Sequence, residues 1–268
     1  MYGVGFGYGS AGATTILSGG GGVDADAQSF FTASGVTDLT QKNAVNQLVL
    51  DLKSNNLWSK IKALYPVVGG NATAHSYNLK NTAQYQLTFS SGWTHASTGM
   101  LPNGTSAYAD TNFNSSLLSL NSSTLLLYTS TNSDGVFIDM GNVDNVSENI
   151  ILVKNGSSTL LATNSALGNR IAVSNTDSRG LYLLTRTASN VVKYFKNSSL
   201  INSSTAASYS TINRNVWISG WNNVNSVFYY SPRNVISSAM ADGLNDTESV
   251  NLSNAINTFN TTLGRNTY

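Results

Sequence analysis

Two periods of hydrophobic spacing divide the chain. Between residues 23 and 66 the apolar positions recur every three or four residues, the spacing of one helix face. Asp24 is placed to cap a first helix carrying Phe30 and Phe31, and Gly35 is placed to end it. Asp38, with Gln41 three residues on, has the form of a capping box. Ala44, Val45, Leu48, Val49 and Leu52 then fall on one face until Asn55 and Asn56 break the pattern. A third short helix carrying Trp58, Ile61 and Leu64 is predicted to stop at Tyr65, because Pro66 disfavours helical geometry in the residue before it.

From Ser76 the period switches to two. Segments such as YQLTFSSGW, TLLLYTSTN, NIILVKNGS, GLYLLTRTA, NVVKYFKN, NVWISGW and SVFYYS are short and rich in β-branched and aromatic residues, with Asn, Asp, Gly and Ser between them. Many short strands at this spacing predict a mainly β fold, a jelly-roll sandwich. Asn155 and Gly156 tolerate positive φ and predict a tight hairpin. The helical period returns at the C-terminus: Asn245 with Glu248 forms an N-x-x-E box, Leu252, Ile256, Phe259 and Leu263 make a stripe, and Gly264 and Arg265 close it. That single apolar face predicts a helix packed on the sandwich.

Composition narrows the function classes. Charged residues make up 10% of the 268, against roughly 25% in an average globular protein, so Asn, Ser, Thr and Gly cover most of the surface. A net charge of +1 without any Lys/Arg run argues against nucleic-acid binding, which needs a clustered basic footprint. With no cysteine, and His75 and His95 as the two imidazoles, neither a disulfide framework nor a metal site or cofactor is expected. No basic region followed by an apolar stretch opens the chain and no 18-residue apolar run follows, so synthesis in a cytoplasm and no membrane span are expected. The N-x-S/T triplets at Asn103, Asn155 and Asn197 are what so Asn-, Ser- and Thr-rich a chain produces by chance.

Catalytic motifs are absent or out of context. Gly7, Gly9 and Gly12 satisfy G-x-G-x-x-G, but the strand and helix that make this a dinucleotide loop do not flank it. A glycosidase on this architecture needs two carboxylates about the scissile bond. Glu148 and Glu248, the only glutamates, lie a hundred positions apart, and Glu248 is better used as a cap. Asp134 with Asp139 is the remaining pair for a divergent glycoside hydrolase, and the expectation is that the chain is not an enzyme. Calcium ligands from Asp110, Asp139 or Asp144 lack a recognisable spacing. For sugar binding, where an aromatic ring stacks on a sugar face beside hydroxyl-reading amides, the candidates are Trp221, Asn222, Asn223 and Tyr230, in the loop after NVWISG. Trp93, Trp217 and Phe195 sit within strand patterns and are assigned to the core.

The stretches DADAQSFFTASGVTDLTQKNAVNQLVLDLKSNNLWSKIKALYPVVGGNATAHSYNLKN, FSSGWTHASTGMLPNGTSAYADTNFN and MADGLNDTESVNLSNAINTFNTTLGR resemble a widespread group of tailed-phage virion proteins with a laminin G-like, concanavalin-type jelly roll. The resemblance runs from residue 23 to the C-terminus. It implies a structural or adhesive part of a head, tail or fibre, present in several copies, with other virion proteins and a host surface glycan as partners, and it brings no catalytic residues. Residues 1–22 lie outside it. There Tyr2, Val4, Phe6 and Tyr8 alternate with Gly3, Gly5, Gly7 and Gly9, so an extended chain would carry its rings on one side and bare backbone on the other. Such a segment suits addition to a partner's sheet edge. The expected organisation is an attachment arm (1–22), a small helical segment (23–70) and a jelly roll with its C-terminal helix (71–268).

Overall fold

The computed structural model describes residues 22–224 and 228–268. Tyr2, Val4, Phe6 and Tyr8 of the expected arm lie outside the described residues.

Two helices come first, α1 (Ala25–Ser34) and α2 (Leu39–Ser54), followed by β1 (Ile61–Tyr65) and the single turn α3 (Ala72–Ser76). The strands β2 (Thr88–Phe89), β3 (Trp93–Ala96), β4 (Gly99–Pro102), β5 (Ala109–Asn114), β6 (Ser123–Thr129) and β7 (Met140–Val143) follow. Then come β8 (Ser147–Asn155), β9 (Ser158–Ala166), β10 (Ile171–Ser174), β11 (Gly180–Ala188), β12 (Val191–Lys196) and β13 (Ser199–Ser204). Last are β14 (Asn215–Ile218), β15 (Asn222–Asn223), β16 (Val235–Ala241) and α4 (Asp246–Thr262).

The strands form two eight-stranded sheets, antiparallel apart from the short β15–β7 pair. The first runs β13-β12-β11-β6-β16-β4-β3, with β1 also on β16; the second runs β10-β9-β8-β7-β14-β5-β2, with β15 on β7. The fold is therefore a mainly β jelly-roll sandwich with short N-terminal helices and a C-terminal helix. Leu125, Leu127, Tyr182 and Leu184 face the second sheet, where Ile151, Val153, Val216 and Ile218 meet them. The alternate residues Leu126, Tyr128, Leu181, Leu183 and Phe195 face outward and are covered by Phe30, Leu48, Leu52, Ile256 and Phe259 of the helices. Strands buried on both faces read as continuous apolar runs, which is why TLLLY and GLYLL lack clean alternation.

The caps act locally. Asp24 accepts from Asp26 N–H and pairs with Lys53 at 2.8 Å. Asp38 accepts from Gln41 N–H at 2.8 Å, but the Gln41 carboxamide does not reach back: its oxygen takes Gly69 N–H at 2.7 Å, tying α2 to the chain after β1. The Asn245–Glu248 box of α4 is complete, and β8 turns into β9 through Gly156 at φ 60°.

The expected third helix is a correction. Residues 57–60 form a turn, and Ile61–Tyr65 is strand β1, antiparallel to β16. A bulge between Ile61 and Ala63 shifts the alternation, so that Ile61 and Leu64 both face the helices while Ala63 and Tyr65 face the inter-sheet core. That bulge produces a three-residue apolar spacing inside a strand and imitates a helix. Among the described residues no helix is long and apolar enough to cross a membrane.

Candidate functional site

Helices cover the outer face of the first sheet; among the described residues the outer face of the second, around β5, β14 and β7, has none packed on it, α3 touching only its edge strand β2. There the side-chain alternation of β5 and β14 decides what is displayed. Ala109, Thr111 and Phe113 point inward with Val216 and Ile218, so Asp110 and Trp217 point out. The ladder pairs Trp217 with Asp110 on one side and Gly141 on the other, and Asp110 with Thr88. Trp217 Nε1–H donates to Asp110 Oδ2 at 3.2 Å, and Asn112 N–H donates to Oδ1 at 2.7 Å. Asn112 takes the left-handed conformation, φ 52°, and its amide nitrogen donates to Gln86 O and Thr88 Oγ1, which locks the strand around the carboxylate.

Tyr108 stacks on Trp217 with ring centroids 3.8 Å apart and planes 15° from parallel. Its carbonyl accepts from Trp93 Nε1 at 3.1 Å. Phe228 lies 5.6 Å from Trp217 and 5.7 Å from Tyr230, which in turn stacks 6.2 Å from Tyr108, closing a group of four rings. Beneath them Gly220 leaves no room for more: a Cβ there would meet Tyr108 Cβ at 3.2 Å and the Tyr230 ring at 3.4 Å. All four rings and Asp110 are partly exposed. Burial, then the neighbouring Tyr108, raises the Tyr230 phenol above its ordinary value.

The sequence-predicted residues divide. Tyr230 belongs to this group. Trp221 does not: it is 8% exposed and packed on Ile138, Val143, Ile150, Leu152 and Ala162. Those residues form the outer surface of β7, β8 and β9 and the chain before them, and the indole covers them as a lid against water. The Arg170 guanidinium lies 5.8 Å from its ring. Asn222 is buried at 9%, donating to Asn215 O at 2.9 Å and accepting from Arg214 Nε at 3.2 Å, and Asn223 pairs along β7 beside Val143. Both asparagines are part of the fold's hydrogen bonding. Sequence reasoning does not single out Tyr108, Asp110 and Phe228 as sugar-contacting residues, and it assigns Trp217 to the core. The alternation of Ala109, Thr111 and Phe113 is a readable signal for Asp110. Nothing in the run VWI says which of its residues points outward.

The carboxylates weighed for catalysis are tied into the structure. Glu148 is sealed from solvent and held by Arg170 through two contacts of 2.7 Å and by Gly168 N–H at 3.1 Å. Glu248 completes the α4 cap and meets Lys60 at 2.6 Å. Asp134 pairs with Lys154, and Asp139 with Arg233. His75 and His95 face each other through Nδ1 atoms 2.9 Å apart, and burial pushes the His75 imidazole down to about 3. Among the described residues no group of three or more His, Cys, Asp or Glu side chains is placed to hold a metal ion. Elsewhere a depression of about 440 Å³ is lined by Lys62, Lys80, Gln84, Tyr85 and Phe113 among others. The Lys80 amine donates there to Trp58 O at 2.8 Å.

Two sheets packed face to face define a β-sandwich of the jelly-roll type. No protein-family model matches the chain, and no curated protein does. Among solved structures the chain is similar to a mutant Trypanosoma rangeli sialidase displaying trans-sialidase activity, at 8% identity and a TM-score of 0.55, over 83% of this chain and 39% of that one. It is similar also to Trypanosoma rangeli sialidase in complex with a difluorinated nonulosonic acid, at 8% identity and a TM-score of 0.55, over 79% and 39%. The carbohydrate-binding module CBM40 of the Ruminococcus gnavus IT-sialidase aligns over 49% of this chain and 82% of its own, at 15% identity and a TM-score of 0.38. At 8% identity the likeness to the two trypanosomal sialidases is one of fold, and this chain spans about two fifths of each of them.

Proposed function

We propose that this chain is a glycan-binding module that reads sugars with the outer face of its second sheet. The observation that carries the reading is the partly exposed group Tyr108, Trp217, Phe228 and Tyr230 beside Asp110. Aromatic faces stack on the C–H face of a pyranose, and a fixed carboxylate accepts its hydroxyls. A glycan array probed with the full chain, and with Tyr108→Ala and Trp217→Ala variants that keep the wild-type melting temperature, tests this. Saturable binding lost in both variants is the expected result; no binding to any glycan overturns the reading.

A second reading gives the module its setting, as a multi-copy component of a tailed-phage virion. It is supported by the resemblance of the three sequence blocks between residue 23 and the C-terminus and by a surface poor in charge. Antibody against this chain should decorate purified phage particles at a discrete position on head, tail or fibre. Particles that carry no such protein by mass spectrometry would remove the setting while leaving glycan binding to be judged on its own.

A further inference from the structure

We propose, resting on the glycan-binding reading, that the patch takes uncharged hexopyranosides and turns away carboxylated sugars, with Asp110 as the group that selects. An ionised carboxylate only accepts hydrogen bonds. Asp110 already receives one on each oxygen, from Asn112 N–H and from Trp217 Nε1–H. Those two donors fix its plane and leave acceptor positions on both oxygens, the arrangement that a pair of neighbouring sugar hydroxyls satisfies by donating. A uronic or nonulosonic carboxylate has no proton to give there and brings a second negative charge beside the first.

Among the described residues no lysine or arginine forms an ion pair with Asp110. Arg170 is held by both oxygens of Glu148, and Arg214 Nε donates to Asn222 Oδ1. Among the described residues no lysine or arginine lies over any of the four rings. The rings supply sequence-tolerant stacking, so the choice between sugars falls to the one ionised group among them.

The test compares matched pairs that differ only at C6 of each ring, a neutral disaccharide and its diuronate: galactobiose with digalacturonate, cellobiose with its diuronate. Calorimetric titration of the full chain should show a neutral member binding about tenfold or more tighter than its acid. Asp110→Asn, which keeps shape and removes charge, should weaken the neutral sugar and close the gap between the pair. A uronate that binds the wild type as tightly as its neutral partner overturns the inference, as does a preference unchanged in Asp110→Asn. Uronate binding abolished by Lys80→Met would also overturn it, by placing recognition in the Lys62–Lys80 groove. If neither member of either pair binds while the glycan array is positive, the hexopyranoside selectivity is overturned; if the array is silent as well, the glycan-binding reading fails with it.

Discussion

Arg233 and Asp139 form an ion pair with 1% and 2% of their side chains exposed, joining the chain after the aromatic loop to the chain before β7. Arg233 Nη1 lies 2.8 and 3.0 Å from the two oxygens, which also accept from Ser231 Oγ at 2.6 Å and Val153 N–H at 2.9 Å. Nη2 donates to the carbonyls of Ser133 and Lys154. Arg233→Met strands a buried carboxylate and should cost about 3–5 kcal/mol of stability, whereas Arg233→Met with Asp139→Leu should recover much of that loss. Urea denaturation of the two variants measures the difference. A single variant as stable as wild type would show that the pair does not hold the two segments.

Arg265 is a second buried anchor, just past the Gly264 stop of α4. Its guanidinium donates to the carbonyls of Pro66, Val67, Ser97 and Ile236 and to Asn260 Oδ1. It thereby fastens the C-terminus to the end of β1, the β3–β4 turn and β16. Arg265→Ala removes all five of these bonds at once and should lower stability by about 2–4 kcal/mol. Hydrogen exchange should rise first in β3 and β4, the strands at that edge.

Acid should act through His75 before it acts through carboxylates. Burial lowers this imidazole from its ordinary value of 6.5 to about 3, and burial lowers His95 as well. Between those values the unfolded chain binds the proton and the folded chain does not, so stability is full above about pH 6.5 and falls as pH drops toward 3. The carboxylates with lowered values, such as Asp24 and Glu248, lose their contribution only below about pH 4. From pH 6.5 to 4.5 the loss from His75 should be about 2 kcal/mol, and His75→Gln should flatten that part of the curve. A curve unchanged by the substitution would show that the imidazole is protonated in the fold.

Gly220 sits against three of the four rings, Tyr108, Tyr230 and Trp217. Because a Cβ there already crowds Tyr108 and Tyr230, Gly220→Val should push the rings apart and remove sugar binding. Its stability cost should stay within about 1–3 kcal/mol. Binding at wild-type strength in a folded Gly220→Val chain would show that ring spacing does not matter to recognition.

Removing residues 1–22 should leave the melting transition unchanged, since the helical and two-residue hydrophobic periods both begin after the glycine run. A lost or broadened transition would place part of the core in the removed segment.

Local chemistry alone determined much of this protein. The caps at Asp24, Asp38 and Asn245, the Gly156 turn, the two-residue period from Ser76 and the stripe of α4 all depend on neighbours within a few positions, so the helices, hairpin and sandwich class are readable in one dimension. Facing is not local. Trp217 stands in an apolar run, and only the pairing of β14 with β5 and β7 turns it outward to meet Asp110, more than a hundred residues earlier. Trp221 follows four positions on and is drawn the other way, because Ile150 and Leu152 on the outer surface of β8 need cover from water. Ile61 and Leu64 keep a helical spacing inside a strand because a bulge against β16 resets the alternation. In each case the deciding partner lies far along the chain, and the burial energy that selects the orientation exists only once the sheets have packed.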